Sequence, residues 1–333
     1  MLIGIVGDVH WSTYSSIIRS RGDKYSTRLE NLIKSVNWAE KELSVCDSIV
    51  YAGDFFDRAD VSSEELSALN EIEWCSVPHR FLVGNHEAST ADLSYNCPKI
   101  FESMPSHEAV DTVDIVDYGE FKLVLIPYQT DKNRFDLSDI AWDKKTIVFS
   151  HNDLQIQYGA YESKTGYKVE DIEKCCDLFI NGHLHNFSTI GEKIINIGNL
   201  SGMGFGEDAN IYPHNIAVLD TDDLSIKYIE NPYAFNFYKV DYTDGIKRDN
   251  FKKNAVVSFV CREKDIEALK ERCKNDKNIF ESRMVVKRDM VDAPSHEKEL
   301  RFDDHLSMFY NYVHSTIKLT DEEEEELLGV VKV

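Results

Sequence analysis

The chain is 333 residues long, with 42% hydrophobic residues, 37 Lys and Arg, 59 Asp and Glu, and a net charge of −22. This is the composition of a globular protein large enough to bury a core without cross-links, and it excludes a disordered or fibrous chain. The acidic balance speaks against a broad, non-specific phosphate-binding surface, though not against a site whose positive charge comes from bound metal and a few arginines.

Short apolar runs rich in β-branched residues and bounded by turn residues read as buried strands. They are LIGIV (2–6), SIVYA (48–52), RFLV (80–83), LVLIPY (123–128), TIVFS (146–150) and LFIN (178–181). Helical patterns lie between them. Thr27 with Glu30 reads as a capping box ahead of Leu29, Leu32, Ile33, Val36 and Leu43, and Ser62 with Glu65 repeats the device ahead of Leu66, Leu69 and Ile72. With further strands at 192–198, 215–220 and 225–230, residues 1–230 form one layered α/β domain. The aromatic stretch 233–242 reads as a hinge or strap, with Tyr233, Phe235, Phe237 and Tyr238 packing it or, second, stacking on bases. A strand at 255–261, a helix at 262–276 and a strand at 282–288 spell a small βαβ unit, making 231–292 a second domain. After the break at Asp292-Ala-Pro-Ser, 293–333 holds a helix around 303–318 and another opening at a Thr320 capping box.

No apolar run approaches the ~18–20 residues of a membrane span, and the first strand begins without the flanks of a secretory leader. The seven cysteines are odd in number and form no CxxC pair. That argues for a reducing compartment over a disulfide framework or zinc-thiolate site. A cytoplasmic protein with no membrane partner is expected.

Five strands end on chemistry. They lead to Gly7-Asp8-Val9-His10, Gly53-Asp54-Phe55-Phe56-Asp57-Arg58, Gly84-Asn85-His86-Glu87, His151 and Gly182-His183-Leu184-His185. Open α/β sheets keep ligand sites at strand C-termini. A single histidine there is usually a satisfied polar residue, but a whole ordered series is not explained that way. Alternation along extended backbone puts Asp8 with His10, and His183 with His185, on shared faces. Imidazole, carboxylate and amide donors without a thiolate suit two divalent ions such as manganese, iron or zinc. Unmetallated, Asp8 and Asp54 would be desolvated beside like charge.

The ordered set GD-x-H, GD-xx-D-R, GNHE, a lone His and GH-x-H resembles the calcineurin-like metallophosphoesterase superfamily. Within it the chain resembles the SbcD-type double-strand-break repair nucleases, especially the short versions encoded by bacterial viruses. The motifs span residues 1–200; the βαβ unit resembles the capping domain of those nucleases, and the tail from Phe302 their partner-binding segment. The resemblance implies a four-layer α/β/β/α sandwich with a small βαβ capping domain and a C-terminal helical tail. It implies one metal on Asp8, His10, Asp54 and His185 and a second on Asp54, Asn85, His151 and His183, with manganese as the ion and an activated water as nucleophile. His86 would stabilise or protonate the leaving 3′ oxygen.

The implied activity is a 3′→5′ DNA exonuclease with single-strand endonuclease activity, serving recombination and repair. It would act as a homodimer with an SMC-like ATPase of the SbcC type docked on the C-terminal segment. Asp57 stands where many cellular relatives carry a histidine, and is expected to orient His86 or a ligand. GDFFDR is also close to the GD-x-VDRG of protein Ser/Thr phosphatases, with Ala59 replacing their glycine. The alternative is therefore a metallophosphatase acting on phosphoproteins or small phosphoesters. Arg58 reads either as a phosphate contact or as a salt-bridged surface arginine. Arg19, Arg21, Lys24 and Arg28 read either as a grip on the DNA backbone or as a solvated basic loop. The Gly-rich stretch 198–206 is expected to border the substrate cleft.

Overall fold

Alternation along the strands creates the layers. Ile3, Ile5, Val50 and Leu82 turn into one apolar cluster, where they meet Leu123, Leu125, Ile147, Phe149 and Ile180. Their neighbours Ile49, Tyr51 and Phe81 turn the other way, against Leu29, Leu32, Val36, Ala39 and Leu43 of helix Thr27–Leu43. Val124, Ile126, Val148 and Phe179 likewise leave the central cluster to cover Ile172 of helix Val169–Cys175. Two sheets thus face each other with helices outside, the four-layer α/β/β/α sandwich. Each large apolar side chain so buried contributes about 1.5–3 kcal/mol.

The computed structural model describes residues 1–17, 22–141, 143–158, 161–243 and 250–287, and Met1–Lys287 form one compact unit. Arg19, Arg21 and the helical segment expected at 293–333 lie outside the described residues. The first six-stranded sheet runs Ile226–Glu230, Asn215–Asp220, Leu2–Val6, Ser48–Tyr51, His79–Leu82 and His107–Val110. Its centre is parallel, with Ile3 opposite Ser48 and Ile49 opposite His79. The second six-stranded sheet runs Ser188–Ile190, Ile194–Asn196, Leu178–Asn181, Lys145–Ser150, Phe121–Ile126 and Asp114–Asp117. Parallel pairing brings the C-terminal ends of the central strands of each sheet to one edge. Among the described residues, no helix is long and apolar enough to cross a membrane.

Two local expectations are corrected. The first helix is capped by Ser26, whose side chain accepts the Leu29 N–H, and not by Thr27. Glu30 consequently reaches past the cap to the Lys24 and Tyr25 amides. The capping box at Ser62 and Glu65 forms as expected. The hinge or strap is in part a strand: Asn236–Asp241 pairs in parallel with Ala255–Cys261, which pairs in parallel with Ile279–Val286. Helix Ile266–Asn275 makes the crossover between the last two. Tyr238 and Val240 face that helix's cluster, whereas Phe235 and Phe237 pack with Ile17 and Phe205 beside the first motif.

Candidate metal centre

Every candidate ligand stands within four residues of a strand end. A Cβ on Gly53 (φ 104°) would come within 2.1 Å of His151 Nδ1, and one on Gly84 within 2.0 Å of Asp54 Oδ1. Only glycine permits those approaches. His10, Asp54 and His183 have φ of 49°, 46° and 70°, a left-handed conformation costing a non-glycine residue about 1–3 kcal/mol. The extended alternation expected for Asp8/His10 and His183/His185 is therefore replaced by turned backbone. Hydrogen bonds enforce it: the Val9 and His10 amides both donate to the Asp54 carbonyl, at 3.1 and 3.0 Å.

The four histidine ligand candidates share one arrangement. In each, one ring nitrogen lies within 3.2 Å of an acceptor outside the centre. His10 Nδ1 lies 3.1 Å from Asp57 Oδ1, His151 Nδ1 donates to the Ala52 carbonyl at 2.7 Å, His183 Nε2 lies 2.9 Å from Asp153 Oδ1, and His185 Nδ1 lies 3.2 Å from Glu207 Oε1. An acceptor there holds the proton on that nitrogen, so the other presents a lone pair. Those lone pairs converge on further acceptors. His10 Nε2 faces His185 Nε2 at 3.0 Å, His151 Nε2 faces Asp54 Oδ2 at 3.0 Å, and His183 Nδ1 faces Asn85 Oδ1 at 3.0 Å. Asp8 Oδ2 is buried with no hydrogen-bond partner, 4.0 Å from His10 Nε2. Donors crowded against donors fit cations at the centre, with carboxylates and a carbonyl orienting the histidines from behind.

The centre falls into two halves joined by Asp54. Asp8, His10 and His185 bring ligand atoms within 4.8 Å of one another, and so do Asp54, His151 and His183. Asp8, His10, Asp54 and His151 are at most 1% exposed, while His183 and His185 keep side chains 18% and 34% open. The site is thus closed behind and open on one side. Burial would raise the Asp54 carboxyl, but adjacent His151 outweighs it and holds it below the carboxylate range. Burial would lower His151, yet Asp54 and Asp8 lift it to about 10. Without a metal, the buried negative charge binds protons instead.

The remaining expected residues divide. His86 lies at the open side: its amide donates to Asp54 Oδ1 at 3.0 Å and its Nδ1 to the Asp57 carbonyl at 2.9 Å. Asp57 accordingly holds both His10, through its carboxylate, and His86, through its backbone. Arg58 bonds both Glu65 oxygens through Nη2, at 2.8 and 2.9 Å, with its side chain 38% exposed. Arg28 is corrected as a DNA contact, because it is 1% exposed and its guanidinium bonds the Val9, Ser201 and Gly202 carbonyls. Burial lowers it to about 10 against the pull of Glu207 and Asp57. Lys24 stays at the surface, paired with Glu71.

Three residues were not among the sequence candidates. Asp153 and Glu207 orient ligands, and Glu87 ties two motifs together by accepting from the Gly84 and Phe56 amides at 2.7 and 2.9 Å. Burial, then Asp54, raises Glu87 to about 8. Glu87 is spelled in GNHE, and Asp153 follows His151 by two positions. Glu207 carries no spacing signal, since only the folded Gly-rich loop brings it to His185.

Residues 1–187 match the family described as calcineurin-like phosphoesterase. The chain belongs to that family. This calcineurin-like phosphoesterase is therefore a metal-dependent hydrolase, and the donor set above fits the divalent ions that the family implies. It is 25% identical over 203 residues to "Probable exonuclease subunit 1" of Escherichia phage T5. That alignment covers 56% of each protein, so the chain spans about half the length of the curated relative it matches. Among solved structures, TT1561 of Thermus thermophilus aligns at 10% identity and TM-score 0.43, over 69% of this chain and 98% of that one. A 5'-nucleotidase precursor from the same organism aligns at 11% identity and TM-score 0.37, over 70% of this chain and 55% of that one.

Proposed function

We propose that this phosphoesterase is a two-metal, manganese-preferring DNA nuclease, a 3′→5′ exonuclease with single-strand endonuclease activity serving recombination and repair. One observation carries the reading: four histidines, each with one ring nitrogen facing an acceptor from outside, aim their other nitrogens together with Asp8, Asp54 and Asn85 into a centre closed behind and open on one side. Two divalent ions there would acidify a bound water and neutralise charge on a phosphodiester. Asp8, His10 and His185 would hold one, Asn85, His151 and His183 the other, and Asp54 both. Donation from His86 Nδ1 to the Asp57 carbonyl leaves Nε2 on the open side. As an imidazolium, it would give its proton to the 3′ oxygen as the P–O bond breaks. The exonuclease name of the phage T5 relative supports a nuclease over a phosphatase. The proposal extends to a homodimer working with an SMC-like ATPase of the SbcC type through the segment at 293–333.

The test is manganese-dependent digestion of end-labelled single- and double-stranded DNA by the purified chain, beside a phosphomonoester control. DNA degradation abolished both by EDTA and by Asp54→Ala is the expected result. Turnover of the monoester with none of DNA would select the metallophosphatase that GDFFDR brings to mind.

A further inference from the structure

At the opposite end of strand His79–Leu82 from Asn85, about 20 Å away at ~3.3 Å per residue, lies a second cluster of ligand-type side chains. Glu40 comes from the last turns of helix Thr27–Leu43, Cys75 from the approach to the strand, and His79 from its first position. One donor atom of each lies within 4.8 Å of the others. His79 Nε2 is 2.9 Å from Glu40 Oε2 and 3.9 Å from Cys75 Sγ. His79 Nδ1 donates to the Val77 carbonyl at 2.7 Å, which fixes the ring and turns Nε2 inward, and the Tyr51 hydroxyl braces Glu40 Oε1. Glu40 and His79 are each 1% exposed, whereas Cys75 is half-buried against a surface cleft of ≈ 540 Å³ that Glu40 also lines.

We propose that Glu40, Cys75 and His79 form a separate metal site of the zinc class, with three protein ligands and a fourth position open to that cleft. Carboxylate, imidazole and thiolate together suit a borderline-soft tetrahedral ion and discriminate against manganese or magnesium. A carboxylate and a thiolate together supply two negative charges to a dication, with the Cys75 thiol proton released to solvent. The Cys75 N–H donates to Glu40 Oε2 at 3.1 Å, as an outer partner of a ligating carboxylate does. Burial holds the thiol proton, raising Cys75 to about 11, so a bound cation is what would release it. The site would pin the first helix to the third strand of its sheet, independently of the catalytic ions and of the nuclease reading.

The experiment uses cobalt(II) on full-length Asp54→Ala protein, in which the catalytic centre lacks its shared ligand. The expected result is a thiolate-to-cobalt charge-transfer band saturating at one equivalent and displaced by zinc. Cys75→Ser in the same background should lose the band and weaken zinc binding by at least the ~10–100-fold seen when an outer partner is removed. A second measurement needs no variant: zinc, but not manganese, should protect Cys75 of the unmutated chain from alkylation followed by peptide mapping. Absence of the band, its survival in Cys75→Ser, or equal alkylation of Cys75 with and without zinc would each overturn the site.

Discussion

His86 is where metal binding and chemistry can be separated. Its backbone amide, not its ring, holds Asp54, while the ring is 41% exposed at the mouth of the centre. His86→Ala should therefore lower turnover by ~10²–10⁴, the usual worth of a positioned acid, while calorimetric metal affinity stays unchanged. Equal loss of both would remove its assigned role. His214 reports on pH instead. It is 2% exposed with Nδ1 on the Asn199 carbonyl, and burial lowers its pKa. Below about 6.5 the unfolded chain takes up a proton that the folded chain refuses. Stability is thus complete above that value and declines as pH falls towards the depressed folded value, by at most about 1.4 kcal/mol per pH unit. Urea unfolding across this window should show a shallower pH slope for His214→Gln; identical slopes would refute it.

At the scale of elements, the centre depends on the loop after Ile194–Asn196. Leu200 N–H bonds the Asp8 carbonyl at 2.8 Å, and Glu207 holds both His185 and, at 2.8 Å, the Met203 amide. Arg28, projecting from the first helix, grips this loop at Ser201 and Gly202 and the first motif at Val9. A lysine there keeps the charge but lacks the guanidinium's fork of donors. Arg28→Lys should keep the fold yet weaken metal binding ~10–100-fold, as loss of an outer partner does. Titration monitored by manganese paramagnetic resonance would measure it, and wild-type affinity would show that the loop needs no such strap. The aromatic segment before the last sheet illustrates how elements override composition. Tyr233 to Tyr242 looks like a strap until Asn236–Asp241 pairs in parallel with residues nineteen positions onward.

For the whole molecule, two carboxylates and four histidines are brought together at the strand ends of both sheets, so metal binding is linked to folding. An ion at a hundred times its dissociation constant adds about 2.7 kcal/mol. With ~2–4 °C per kcal/mol for a domain of this size, each ion should raise the melting temperature by roughly 5–11 °C. Differential scanning calorimetry with manganese, then with EDTA, measures this; Asp54→Ala should lose most of the shift. A shift that survives in Asp54→Ala would mean that manganese stabilises the chain elsewhere.

The strands and the candidate ligands were legible because each rests on local chemistry. Short β-branched apolar runs bounded by turn residues announce buried strands, and Asp8, Asp54, Asn85, His151 and His183 each stand close behind one. The cap at Ser26 lies one residue before the expected Thr27, because the two carry the same hydroxyl and only backbone angles tell them apart. What the sequence could not decide is which polar residues face inward. Arg28 reads as a surface charge by composition, and becomes a buried strap because carbonyls separated from it by up to 174 positions surround it. Glu207 and Asp153 are two acids among many until folding sets them against imidazole nitrogens. Periodicity fixes which side of an element is apolar, but the desolvation that makes a charge structural is set by neighbours remote in the chain, and those exist only in the tertiary structure.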